Sequence, residues 1–123
     1  MLRVWDRRRS AAWSRGDLDA LAGLYLPGSA AGRRDLAMLA AYRRRGLRVT
    51  GMTRQVLRVR VASATPRRLA LVVTDRLVDA RLVGGGVRSD VPDGPPVTRR
   101  VLLARVRAGW RVVEVVAVVQ PAR

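Results

Sequence analysis

The chain of 123 residues contains no cysteine and no histidine, and lysine, asparagine, isoleucine and phenylalanine are missing as well. Without cysteine there is neither a disulfide nor a thiolate, so the redox compartment leaves no mark on the sequence. Without histidine the commonest general base and the commonest metal ligand are both gone. Histidine and cysteine zinc sites and Ser–His or Cys–His nucleophiles are thereby excluded, and neither a metal site nor a cofactor is expected. The sequence shows no secretory leader pattern, and no apolar run reaches the ~20 residues that a membrane-spanning helix needs. It reads as cytoplasmic by default. Because the chain opens almost directly in a helix, the alternative is an extracytoplasmic domain of a longer, tethered protein.

Acid is scarce too. Asp and Glu together number 9 against 25 basic residues, every one of them arginine, for a net charge of +16. The missing residue types have AT-rich codons, so arginine in place of lysine reads as the mark of a GC-rich genome. That does not account for the low acid count. A surplus of this size draws a domain toward nucleic acid, anionic lipid or an acidic protein. Yet the arginines are dispersed along the chain, three tryptophans and two tyrosines are all the aromatics there are, and no nucleic-acid motif is present. The reading is a solvated basic surface and not a nucleic-acid site.

What is present organises as one domain over residues 1–123, long enough to bury a core without staples. Leu2 to Arg15 predicts a helix with Leu2, Trp5, Ala12 and Trp13 near one face and a basic run, Arg7 to Arg9, read as solvated helix surface. Gly16 stops it. Asp17 caps a second helix whose apolar stripe is Leu18, Leu21, Ala22 and Tyr25, ended by Leu26-Pro27-Gly28. Ser29 caps a third segment with its body over Arg33 to Arg45, Leu36, Leu39 and Ala40 on its apolar side and Met38 and Tyr42 adjoining. Arg43 to Arg45 then meet the negative end of the helix dipole.

After Gly46 the period becomes two. Leu47 to Thr50 begins a strand, Gly51 marks a bulge, and Gln55 to Ala62 continues it with Leu57, Val59 and Val61 opposed by Arg58 and Arg60. Arg68 to Val83 reads as one long strand with Leu69, Leu71, Val73, Asp75 and Leu77 on one face. Gly84 through Pro96 reads as a mobile loop without phosphate-cradle spacing. Val97 to Val106 and Trp110 to Val119 form a hairpin closed by Arg107-Ala108-Gly109, with Trp110, Val112, Glu114, Val116 and Val118 pointing one way. The last strand is apolar on both faces and wants cover on both.

Three helices followed by long antiparallel strands predict an α+β domain, N-terminal helices packed on a curved antiparallel sheet. WSRGDLDALAGLY resembles the helix–Gly-Asp–helix opening of the nuclear transport factor 2-like superfamily, which includes ketosteroid isomerase, scytalone dehydratase and SnoaL-like polyketide cyclases. VLLARVRAGWRVVEVVAV resembles that superfamily's closing hairpin, and LVVTDRL suits a central strand. The resemblance is closest to uncharacterised actinobacterial members. It implies a cone-shaped fold, a pocket between helices and sheet that takes a small apolar ligand, and a homodimer through the sheet.

Fold alone does not carry activity. Asp75, polar on an apolar strand face, and Glu114, flanked by valines, are the carboxylates that could serve as a base, with Tyr25 and Tyr42 as hydrogen-bond donors. Against this stands cross-strand pairing of both acids with arginines such as Arg99 or Arg105. Trp13, Met38, Leu39, Tyr42, Leu71, Val73 and Trp110 are the expected pocket wall. The favoured function is a non-catalytic binding or interaction domain. The alternative is a small pocket enzyme of isomerase, dehydratase or cyclase type.

Overall fold

A computed structural model describes residues 2–107 and 109–118. Ala108 of the expected hairpin loop and Val119 at the expected end of the last strand lie outside the described residues. Helix α1 (Leu2–Arg15) halts at Gly16, whose φ of 64° is left-handed. Asp17 accepts the Ala20 N–H, capping α2 (Leu18–Ala22). This second helix is shorter than its apolar stripe predicts. After Gly23 the backbone opens toward the last strand: Val112 N–H donates to the Leu24 carbonyl and Leu26 N–H to the Val112 carbonyl. Tyr25 therefore sits in a bridge parallel to Val112; tertiary pairing has overridden helical period. Ser29 accepts the Gly32 N–H and α3 runs Ala30–Arg44, beginning directly after its cap.

Among the described residues seven strands follow: β1 (Arg48–Thr50), β2 (Thr53–Ala64), β3 (Arg68–Val78), β4 (Arg81–Gly84), β5 (Val87–Asp90), β6 (Val97–Val106) and β7 (Gly109–Ala117). They form a large antiparallel sheet in the order β2-β3-β6-β7 and a small one in the order β1-β4-β5. Gly51 is thus no bulge but the crossing from the small sheet to the large one. Arg68 to Val83 is likewise two strands, because Asp79 takes a left-handed φ of 61° and turns the chain back into the small sheet. The two crossings lie against each other: a Cβ on Gly51 would come 2.9 Å from the Asp79 carbonyl oxygen. Both ribbons bend on one line. The expected loop after Gly84 is in part the β4–β5 hairpin, and its remainder is tied down by bonds from Val91 N–H to the Ala80 carbonyl and from Gly94 N–H to that of Leu77.

In β7 the pairing shifts between Leu102/Leu103, where Val112 faces Leu103 but Glu114 faces Leu102. The extra residue, Val113, reverses the alternation. Val112 stays on the helix side while Glu114 passes to the other, so they do not share a face as simple period two requires. The core lies between the helices and the inner face of the large sheet, where Leu21, Leu39, Val73, Leu103 and Val112 are fully buried. Each such side chain contributes about 1.5–3 kcal/mol.

The end of α3 touches the small sheet through two glycines. Gly84, at φ 128°, lies so close to the Gly46 carbonyl that a Cβ would overlap its oxygen. Gly84→Ala should therefore lower stability by about 2 kcal/mol or more, read as an earlier midpoint in urea with an unchanged slope.

Candidate functional site

A cavity of about 310 Å³ opens between α1, α3 and the inner face of the large sheet. Trp5 and Leu2 of α1 face Val73, Val101 and Val112 of the sheet across it. Its polar wall is made of two arginine–carboxylate assemblies, Arg34 of α3 and one acid that has no partner among the described residues.

The deeper assembly centres on Asp35 of α3. Arg9 grips its carboxylate with two bonds, Nε to Oδ2 at 2.7 Å and a terminal nitrogen to Oδ1 at 2.8 Å. The Tyr25 hydroxyl donates to Oδ2 at 2.6 Å and the Trp13 indole N–H to Oδ1 at 3.1 Å. Arg9 and Trp13 are four residues apart on α1, hence on one face, and the guanidinium carbon lies 5.8 Å from the centre of the Trp13 ring. Burial opposes charge on Asp35, but the bonds and charge of Arg9, with the donors Tyr25 and Trp13, outweigh it and hold its pKa below the usual carboxylate value. Tyr25 is pushed above the ordinary phenol by burial and by the Asp35 charge. It is a committed donor.

The second assembly is Asp75 on β3. A terminal nitrogen of Arg99, its cross-strand neighbour but one, donates to both oxygens at 2.9 and 3.0 Å. Arg54 on β2 stands 3.8 Å away. Burial and the nearby Arg99 charge lower the pKa of Arg54. Asp6 of α1 also borders the cavity but makes no hydrogen bond or ion pair among the described residues. Burial, then the charge of Asp75, raise its pKa to about 6, against the pull of Arg54, Arg9 and Arg99.

The predicted site residues separate into groups. Asp75, Tyr25, Met38 and Val73 stand at the cavity wall. Trp13, Leu39 and Leu71 belong to the buried core, with Tyr42 edge-on to Trp13 at 5.4 Å and Trp110 half-buried against the core. Glu114 is elsewhere, 3.7 Å from Arg34 of α3 and bonded to the Val115 N–H. The pairing of Asp75 with Arg99 is the expected one, whereas the partner of Glu114 comes from a helix and not from a strand. Arg9 departs from the solvated run to which it was assigned: Arg7 and Arg8 are exposed, but Arg9 turns inward. Sequence reading missed Asp35 and Asp6. Asp35 had a signal, since it falls midway between the buried Ala31 and Leu39 on the apolar side of α3. Among the described residues no group of three acidic side chains is placed to hold a metal ion.

Two predictions follow from these charges. Asp35→Asn leaves Arg9 buried without its counter-charge and should cost about 3 kcal/mol or more, measured by chemical denaturation at neutral pH. Asp6→Asn should do the reverse. Because the folded pKa of Asp6 is raised, its ionisation penalises the fold as pH climbs through about 6, and below the unfolded value of 3.8 both states are neutral and the penalty is absent. The variant should gain on the order of 1 kcal/mol at alkaline pH, after allowance for partial exposure, and nothing in acid below the unfolded value.

No family model matches the chain, and no curated protein sequence does. Solved structures do. The intermembrane space region of chloroplast protein ARC6 superposes with a TM-score of 0.66 over 94% of this chain and 89% of that one, at 15% identity. A proposed dehydratase of the NTF2-like family from Streptomyces avermitilis gives 0.57 over 98% and 94%, at 17% identity. An NTF2-like protein of unknown function in nutrient uptake from Rhodospirillum rubrum gives 0.56 over 97% and 99%, at 19% identity. Likeness at such low identity speaks for architecture and not for chemistry: this chain has the α+β fold of these NTF2-like structures.

Proposed function

We propose that the chain is a non-catalytic binding domain whose cup receives a small, largely apolar ligand. The observation that carries this reading is the closure of both deep carboxylates by arginine: Asp35 is saturated by Arg9, Trp13 and Tyr25, and Asp75 is held by Arg99. A carboxylate fixed in this way is a poor proton acceptor. Apart from Asp6, Arg34 and Arg54 the remaining wall is apolar, and its volume suits a small molecule. The fold itself is neutral on the choice, since its structural neighbours include both a proposed dehydratase and the intermembrane space region of a chloroplast protein.

One observation favours the enzyme reading, and it is Asp6. A carboxylate with no partner among the described residues and a pKa of about 6 is a serviceable general base. The residue to test is therefore on α1, and neither Asp75 nor Glu114 carries that alternative.

The neutral fluorophore 1-anilinonaphthalene is expected to bind with one-to-one stoichiometry, and Val112→Trp, which fills the cup, to abolish binding while the circular dichroism spectrum is kept. Equal binding by the filled variant would remove the cup from the account. For the alternative, exchange of the α-protons of a cyclic enone in D2O, followed by NMR, should run at the buffer rate. A faster rate that Asp6→Asn eliminates would replace binding with catalysis.

A further inference from the structure

The arginines that are scattered in sequence are gathered by strand pairing. Residues opposite one another on neighbouring strands share a face of the sheet. Leu71, Val73, Val101 and Leu103 are on the inner face, in the core. The intervening positions make the outward face, and their register forms rows. Arg60, Val72, Arg100 and Val116 make one row across the whole sheet. Arg58, Thr74 and Thr98 make the next, and Arg68, Ala104 and Arg111 another. Arg58, Arg60, Arg68 and Arg100 are exposed, and none of them has a carboxylate within ion-pair distance among the described residues.

The acids lie elsewhere. Asp6, Asp35 and Asp75 face the cup, Asp17 and Asp19 are at α2, and Asp79, Asp90 and Asp93 are grouped about the small sheet. Glu114 is at the margin of the outward face, on an edge strand, and is engaged by Arg34. The face is cationic because the fold sends all eight aspartates to other places and leaves on it only Glu114, which Arg34 engages.

We propose that this outward face of the large sheet docks on an anionic lipid bilayer. Charge complementarity calls for a polyanion, and the residues between the arginines choose which one. Val72 and Val116 stand in the same row as Arg60 and Arg100, and Val116 is 51% exposed. Aliphatic groups beside guanidinium gain by entering the headgroup boundary of a bilayer, whereas a phosphodiester backbone offers them nothing. Beside the arginines themselves, few groups on this face can read or stack on bases. Thr74 and Thr98 bond to each other at 2.7 Å, Gln55 accepts from Arg76 at 2.6 Å, and Trp110, paired with Arg105, is on the inner side. A second copy stacked on this face would set arginine against arginine.

The test is co-sedimentation of the full chain with vesicles of phosphatidylcholine, with and without phosphatidylserine. Binding is expected only where phosphatidylserine is present. Replacing Arg58, Arg60 and Arg100 together by Gln should lower the partition coefficient about 100-fold, near fivefold per arginine. The same change at Arg3, Arg7 and Arg8, exposed on α1, removes equal charge and should lower it by less than about tenfold. Val116→Gln should weaken vesicle binding as well, and circular dichroism should show all variants folded. Equal losses in the two triple variants would mean that net charge and not this face is responsible, and the proposal fails. It fails equally if a DNA duplex binds more tightly than the vesicles through the same arginines, or if the face is found to hold a dimer that the triple variant dissociates.

Discussion

The helical half of the cup depends on one buried carboxylate. Asp35 receives Arg9 and Trp13 from α1 and Tyr25 from the segment after α2, so α1, α3 and that segment are fixed to a single point. Trp5 adds a second tie through its indole N–H to the Leu24 carbonyl at 2.9 Å and meets Tyr25 edge to face. A buried ion pair is a weak source of net stability but a strong constraint on arrangement, because any packing that separates its members leaves a charge in a low-dielectric interior. The backbone pairing of Leu24 and Leu26 with Val112 then fastens the same segment to the sheet. The cup has its shape because helices and sheet are joined through that short segment.

The sheet supplies the other half, and its bend does the work of enclosure. Gly51 and Asp79 turn both ribbons on one line, so β1, β4 and β5 leave the plane of the large sheet. Along β3 the alternation of one strand then serves two environments: Val73 and Asp75 face the cup, while Val72 and Thr74 face outward. The carboxylate on the inner side is met by Arg99 from β6, and the arginines on the outer side meet no acid among the described residues.

Much of this was legible in the sequence, for reasons specific to each element. The end of α1 and the cap of α2 are local chemistry, a glycine followed by an aspartate, and α3 has Ser29 before it and arginines in its last turn. Asp75 and Arg99 were recognisable as partners because period two places both on neighbouring strands. What could not be read was set by distant contacts. Tyr25 continues a helical stripe and yet leaves the helix, since its neighbours bond to Val112. Asp79 adopts a left-handed conformation that aspartate tolerates but that a lone acid after an apolar pair signals only weakly, and so the span reads as one long strand in place of two. Val113 reverses the faces of β7, and a bulge has no signature in a strand whose valines flank a single Glu114. Asp6 gave no warning either, as a single acid in an arginine-rich helix looks like a surface residue until the sheet is laid over it.

The choice of arginine throughout has a consequence for how the molecule responds to its surroundings. A guanidinium keeps its proton at any acidity a cell produces, so the outward face of the sheet is a fixed charge that only dissolved ions can attenuate. The cup is different, because Asp6 titrates near neutrality. The two sides of one sheet therefore answer chiefly to different variables, ionic strength outside and proton concentration within.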